Sequence, residues 1–192
     1  MNSPADKVLT YAIHDVPPYL NLIYFFHAWG FQPRFATIAD IHGCDACRAS
    51  WLTIFSEEDR AKAAEAMQLL KEANRMLNQL DETYHVHTIF RLCKANADGD
   101  NLLLDGTRFP LLRQQIPHPD GSPFLCLSDF VCPLASGTPD TVGIFAASCD
   151  GEVELLYEED PYKRMLVQTL ADRLAEAATE KMHEYVRKVA WG

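Results

Sequence analysis

The stretch DPYKRMLVQTLADRLAEAATEKMHEYVRKVAWG, Asp160 to Gly192, reads as one long amphipathic helix, and the rest of the chain is expected to pack against it. Asp160 suits the cap of the first turn, and Pro161 stands where a fixed φ and a missing N–H cost nothing. Leu166, Leu170, Leu174, Ala177, Ala178, Met182, Tyr185 and Val189 recur at steps of three, four and one, the stripe of a helix with one buried side. At 1.5 Å per residue the run reaches roughly 45 Å, enough to cross a domain. Glu158 and Glu159 precede the positive end of the helix dipole, Arg187 and Lys188 lie near the negative end, and Gly192 is placed to terminate it. Arg173, Glu176, Glu180 and Arg187 form a polar strip beside the buried stripe. On spacing alone the strip is either a solvated ion-pair ladder, at ~0.3–0.5 kcal/mol per pair, or the wall of a groove.

Upstream, residues 7–16 are mixed, and Pro17-Pro18 permits a helix just beyond. Tyr19 to Trp29 is expected to be a compact helix with Leu22, Phe25, Phe26 and Trp29 on one side and Asn21 and His27 as its polar members; Asn21 suits a cap, a satisfied core amide or a ligand contact. Periodicity fails from Gly30 to Ser50, which reads as irregular. Ser56 with Glu57, Glu58 and Asp59 then starts a helix continued by Ala63, Met67, Leu70, Leu77 and Leu80.

From Tyr84 the pattern alternates, with Val86, Phe90 and Leu92 on one face and His85, His87 and Arg91 on the other. Asp98-Gly99 and Asp105-Gly106 supply turns on either side of a short strand, Leu102 to Leu104. Phe124 to Val131 and Thr141 to Ser148 read as further strands, the second central in a sheet. Helices first, then strands, then a helix indicate an α+β fold with an antiparallel sheet.

The 192 residues suit one domain with an ordinary core, and a net charge of −10 without a Lys/Arg cluster argues against nucleic acid as partner. The first residues lack an apolar signal region and no run is long enough to span a membrane, so a soluble, cytoplasmic protein with reduced thiols is expected.

Cys44-Asp45-Ala46-Cys47, with His42 beside it, has the spacing of zinc knuckles and thiol oxidoreductases. A structural zinc needs a second ligand pair, and a redox pair wants a helix start close after a strand, so free thiols, a metal and a redox pair all stay open. His85 and His87 are spaced to share a metal or to form plain polar surface. Asp98, Asp100 and Asn101 do not make a calcium loop, because the glycine is misplaced and no distal glutamate follows. No phosphate loop, dinucleotide fingerprint or nucleophile elbow occurs.

Leu170-Ala171-Asp172-Arg173-Leu174-Ala175-Glu176-Ala177, His183-Glu184, Val186-Arg187-Lys188-Val189 and Trp191-Gly192 resemble the last long helix of the reactivation domain of cobalamin-dependent methionine synthase. Phe25-Phe26 with Trp29, Glu72-Ala73-Asn74 with Met76-Leu77, Ala95-Asn96 with Gly99-Asp100, Leu112-Arg113-Gln114-Gln115 and Leu127-Ser128-Asp129-Phe130-Val131 extend the likeness over most of residues 17–192. The resemblance implies a C-shaped, single-domain α+β fold with a twisted antiparallel sheet. It implies a unit that binds S-adenosylmethionine and docks on the cobalamin-binding domain, within the remainder of the enzyme, for reductive methylation of cob(II)alamin. Flavodoxin or a flavoprotein reductase supplies the electron, and this chain is not expected to be catalytic alone.

Position by position, the resemblance makes Arg173 and Glu176 ligand contacts, with Asn21 at a position where the family normally has Asp. An Arg-x-x-x-Gly-Tyr segment of the family lies beyond Gly192. Asp40-x-His42 echoes a cobalamin-binding motif, but Asp45 stands where that motif needs Gly. The alternatives are a docking module of the same fold without the ligand, and a metal or redox protein built on Cys44 and Cys47.

Overall fold

The computed structural model describes residues 6–191. In chain order the elements are β1 (Lys7–Ala12), α1 (Leu22–Ala28), α2 (Pro33–Ala36), α3 (Asp45–Leu52), α4 (Glu57–Asp81), β2 (His85–Asp98), β3 (Asn101–Leu104), β4 (Thr107–Pro110), β5 (Asp140–Cys149) and α5 (Pro161–Tyr185). The strands form a five-stranded sheet in the order β1-β2-β3-β4, with β5 also pairing with β2. The architecture is α+β, and no helix among the described residues is long and apolar enough to cross a membrane.

The chain divides into two compact units, Met1–Lys7 with Ile89–Ala146, and Val8–Thr88 with Ala147–Gly192. In the second, α5 behaves as its sequence requires. The Asp160 carboxylate accepts from the Lys163 N–H at 3.1 Å, and Leu166, Val167, Leu170, Ala171, Leu174, Ala177, Ala178 and Met182 are buried. Two expectations fail at its end. Tyr185 is only partly covered and Val189 is 62% exposed, so the buried stripe stops at Met182. Beyond it the backbone loosens into a π turn, Val186–Ala190, closed by the Trp191 N–H on the Val186 carbonyl at 2.8 Å. With no buried side chain left to fix the register, α-helical spacing is no longer enforced. The expected stop at Gly192 lies outside the described residues.

α4 runs as the pattern dictates, with the Ser56 hydroxyl accepting from the Asp59 N–H at 3.3 Å. A strand, β1, precedes the helices, contrary to the expected order. The Gly30–Ser50 stretch also departs from expectation. It holds α2, a 3₁₀ turn at Thr37–Asp40 and the start of α3. These pieces are too short to show a helical period, and they are held by single anchors: Phe35, Ile38 and Trp51 are buried, and the Trp51 indole donates to Thr37 at 3.0 Å. Phe25 and Phe26 are fully buried and begin an edge-to-face chain of rings through Phe31 to Phe35, on which Phe55 stacks.

The first unit is a hairpin ladder with a long irregular excursion. Asp98 pairs with Asn101 and Leu104 with Thr107, so Gly99-Asp100 and Asp105-Gly106 are two-residue turns. Asp105 and Gly106 both have positive φ, at 48° and 85°, as this turn geometry demands. β2 changes its buried face along its length. Val86, Thr88 and Phe90 are buried in the first half, Cys93, Ala95 and Ala97 in the second. One strand thus serves two cores of opposite parity: Val86 joins the large cluster, while Cys93 and Ala95 join Leu102 and Leu104. The alternation expected from Val86 through Leu92 therefore holds only to Phe90.

Residues 124–131 are not a strand. A 3₁₀ turn occupies Leu127–Phe130, and side chains satisfy the backbone instead of a ladder. The Arg113 guanidinium donates to Asp100, to Asp129 and, at 2.7 Å, to the Phe124 carbonyl. The Gln114 carboxamide oxygen accepts from the Leu125 N–H at 3.0 Å, and the Asp129 carboxylate accepts from the Cys126 N–H at 2.8 Å. β5 is a strand as expected but not a covered one, since Phe145 is 50% exposed and the run 143–146 faces solvent.

Arg113 first, and the Cys126 N–H after it, hold the Asp129 carboxyl at about 2, below its ordinary 3.8. A depressed folded-state pKa means that the anchoring is complete above roughly pH 4 and is lost as pH falls toward 2. Hydrogen exchange of amides 124–131, compared at pH 4 and pH 2.5 after correction for intrinsic rates, is expected to show protection falling at the lower pH while α5 stays protected.

Candidate functional site

Arg173 and Glu176 lie one turn apart on α5 and bind each other, guanidinium Nη1 to carboxylate Oε2, at 2.8 Å. Their exposures differ. The Arg173 side chain is only 20% exposed, while Glu176 is 55% exposed. A freely solvated ladder would leave both long side chains in water. Here the Arg173 side chain is largely covered on a helix whose Leu170, Leu174 and Ala177 are buried, while Glu176 stays open to water. Such a pair offers a fixed planar cation and a movable anion, suited to a zwitterionic partner.

Asn21 is the cap of α1. Its Oδ1 accepts from the Ile23 N–H at 3.1 Å, so the acceptor is committed to the helix. An Asp would cap equally well, so Asn at this position keeps the structure and removes only the charge. Asn21 also lines an open hollow of about 420 Å³ with Pro18, Tyr19, Pro33, Thr37 and Asp40. The segments flanking it, Pro17–Tyr19 and α1, both pack on α5. The structure therefore pairs Arg173 with Glu176 directly and puts Asn21 on a neighbouring piece of the same unit.

Polar groups missed in the sequence gather along the second half of α5. The Tyr19 hydroxyl and the Lys188 ammonium both donate to Glu184. Lys188 first, and Tyr19 after it, hold the Glu184 carboxyl below the ordinary range, and Glu184 in turn raises Tyr19. The Lys181 ammonium donates to the Asp15 carbonyl at 3.0 Å and sits 5.0 Å from the Tyr11 ring centre. The signal available was His183-Glu184 in the quoted likeness, but no spacing rule links Tyr19 to a residue so far along the chain.

The histidine pair is otherwise engaged. His87 Nε2 lies 2.7 Å from Asp150 and its Nδ1 3.1 Å from the Thr10 hydroxyl, while the His85 N–H donates to Asp150 at 2.8 Å. Burial works to raise the Asp150 carboxyl, but the His85 N–H and the His87 ring together bring it below its ordinary value. These histidines tie β2 to the chain after β5 and do not present a metal site.

His42, Cys44 and Cys47 do come together, with one ligand atom from each lying within 4.8 Å of the others. Cys44 precedes α3, but what comes before it is the 3₁₀ turn, not the strand expected of a redox pair.

An antiparallel ladder with a long terminal helix bearing a partly covered ion pair defines the class as an α+β domain. The chain superposes on the crystal structure described as the MetH reactivation domain bound to AdoHcy, with a TM-score of 0.77 and 29% identity, over 100% of its own length and 57% of that chain. The chain thus spans little more than half of that protein. Residues 12–192 match the sequence profile of the vitamin B12 dependent methionine synthase activation domain, and the chain belongs to that family.

Proposed function

We propose that this chain binds S-adenosylmethionine on α5 and serves as the reactivation unit of a cobalamin-dependent methionine synthase. The observation that carries the reading is the superposition of the entire chain on a reactivation domain bound to AdoHcy. The donor set fits such a ligand. Arg173 is positioned to fix a carboxylate or ribose oxygen, Glu176 to pair with the ammonium or sulfonium, and the Asn21 amide to hydrogen-bond without adding charge. S-adenosylmethionine supplies a methyl group, and cobalamin, held by another domain of the enzyme, supplies the metal centre that receives it. This chain contributes binding and orientation.

Docking on the cobalamin domain is part of the proposal, as is delivery of an electron by flavodoxin or a flavoprotein reductase. Support for docking comes from the first unit, where Leu112, Ile116, Leu127 and Phe130 are all strongly exposed and available to a partner.

Calorimetric titration with S-adenosylmethionine tests the ligand claim. Wild type is expected to bind, and Arg173→Ala to bind roughly 10- to 100-fold more weakly, the loss of a charge-assisted hydrogen bond. No heat from wild type, or equal affinity for the two proteins, overturns the assignment.

A further inference from the structure

Cys44 and Cys47 are unlike the other four cysteines. Their Sγ atoms lie 2.7 Å apart, both side chains are partly open to solvent, and they flank the start of α3, Cys44 as its cap and Cys47 in its first turn. The Cys44 sulfur is the cap of that helix and accepts from the Cys47 N–H at 3.2 Å. The Cys47 thiol first, then the His42 ring and the Cys47 amide, bring Cys44 down to about 7, while hydrogen bonding to Cys44 raises Cys47. Elsewhere the trend is opposite. Burial raises Cys93, and burial followed by the neighbouring acids pushes Cys149 up to about 12.

The spacing of the two sulfurs lies nearer to that of a bond than to that of a shared metal. Two thiolates on one tetrahedral zinc, each at about 2.3 Å, sit roughly 3.7 Å apart. At 2.7 Å they are closer than that spacing, and they need to move by less than about 1 Å to reach a disulfide. Beside the pair lies a hollow of about 460 Å³, lined by Gly43, Asp45, Arg48, Met67 and Lys71, which leaves room for a small molecule to approach α3.

We propose that Cys44 and Cys47 form a redox-active dithiol that exchanges with low-molecular-weight disulfides, Cys44 being the attacking group and Cys47 the resolving one. The Cys44 thiolate attacks one sulfur of R–S–S–R, forming the Cys44–S–R bond and expelling RS⁻, which takes up the proton that Cys44 gave to solvent. Cys47 then loses its proton and attacks Cys44 Sγ, forming the Cys44–Cys47 bond and expelling the second RS⁻, which is protonated in turn. The protein dithiol loses two electrons and two protons, and the small disulfide gains them as two thiols. The site shares no residue with Arg173, Glu176 or Asn21, so it stands or falls independently of ligand binding on α5.

The test exposes the reduced full chain to excess glutathione disulfide at neutral pH, quenches with an alkylating agent, and reads each cysteine by peptide mass. Wild type is expected to give a Cys44–Cys47 cross-link. Cys47→Ser is expected to accumulate a glutathione adduct on Cys44. Cys44→Ser, which keeps a capping oxygen, is expected to form its adduct on Cys47 at least tenfold more slowly. Two free, alkylated thiols in exposed wild type overturn the proposal, as do equal adduct rates in the two variants. So does one equivalent of zinc in the purified protein that shields both thiols.

Discussion

Phe26→Ala is expected to lower the stability of the helical unit by about 3–5 kcal/mol, the cost of emptying a large aromatic site in a core that cannot collapse around it. Phe26 is fully buried, meets Phe25 edge-on at 5.5 Å between ring centres and meets Phe31 at 5.7 Å. Its removal therefore also breaks a run of ring contacts that organises α1, α2 and the end of α3. All three tryptophans, Trp29, Trp51 and Trp191, belong to the same unit, so tryptophan fluorescence during urea unfolding reports on it specifically. The midpoint is expected to fall sharply with little change in slope. Tyr24→Ala, two positions earlier on α1 but 58% exposed, is expected to stay within about 0.5 kcal/mol of wild type. Equal midpoints for the two variants would mean that α1 is not seated in the core as described.

Arg113→Met is expected to release the excursion from 111 to 131 without unfolding the helical unit. Arg113 holds Asp100 at the first hairpin, Asp129 in the 3₁₀ turn and the Phe124 carbonyl between them. Methionine keeps the apolar stem and removes every donor. The three segments then lose their common partner, and the Asp129 carboxylate retains only the Cys126 N–H. Limited proteolysis is expected to cut within 111–131 roughly tenfold faster than in wild type, with the tryptophan-reported transition unchanged. Unchanged cleavage would show that the apolar contacts of the excursion suffice by themselves.

The contacts of Arg113 also explain why residues 124–131, strand-like in composition, form no strand. Phe124 to Val131 has the composition of a strand, and backbone groups in such a segment usually find a ladder. Here a guanidinium and a carboxamide, both from Leu112-Arg113-Gln114-Gln115, meet those groups first. Side chains that replace a ladder leave no period behind. β5 shows the converse: its small apolar residues suit a central strand, yet they meet solvent because burial depends on what covers a strand as well as on what composes it.

Much of the molecule was settled before any contact was known. α4 and α5 follow from caps and a 3.6-residue period sustained over 25 residues each, and the two turns of the first unit follow from Gly99, Asp105 and Gly106, which take positive φ. These are local properties, enforced by the backbone and its nearest side chains. The change of buried face along β2, the half-sunk state of Arg173 and the joining of Tyr19 to Glu184 are not local. Each depends on which surface closes over a residue, and on charges brought near from distant positions or from the far side of a helix turn. The order of residues names the groups able to bind or react; only packing decides which of them leave water.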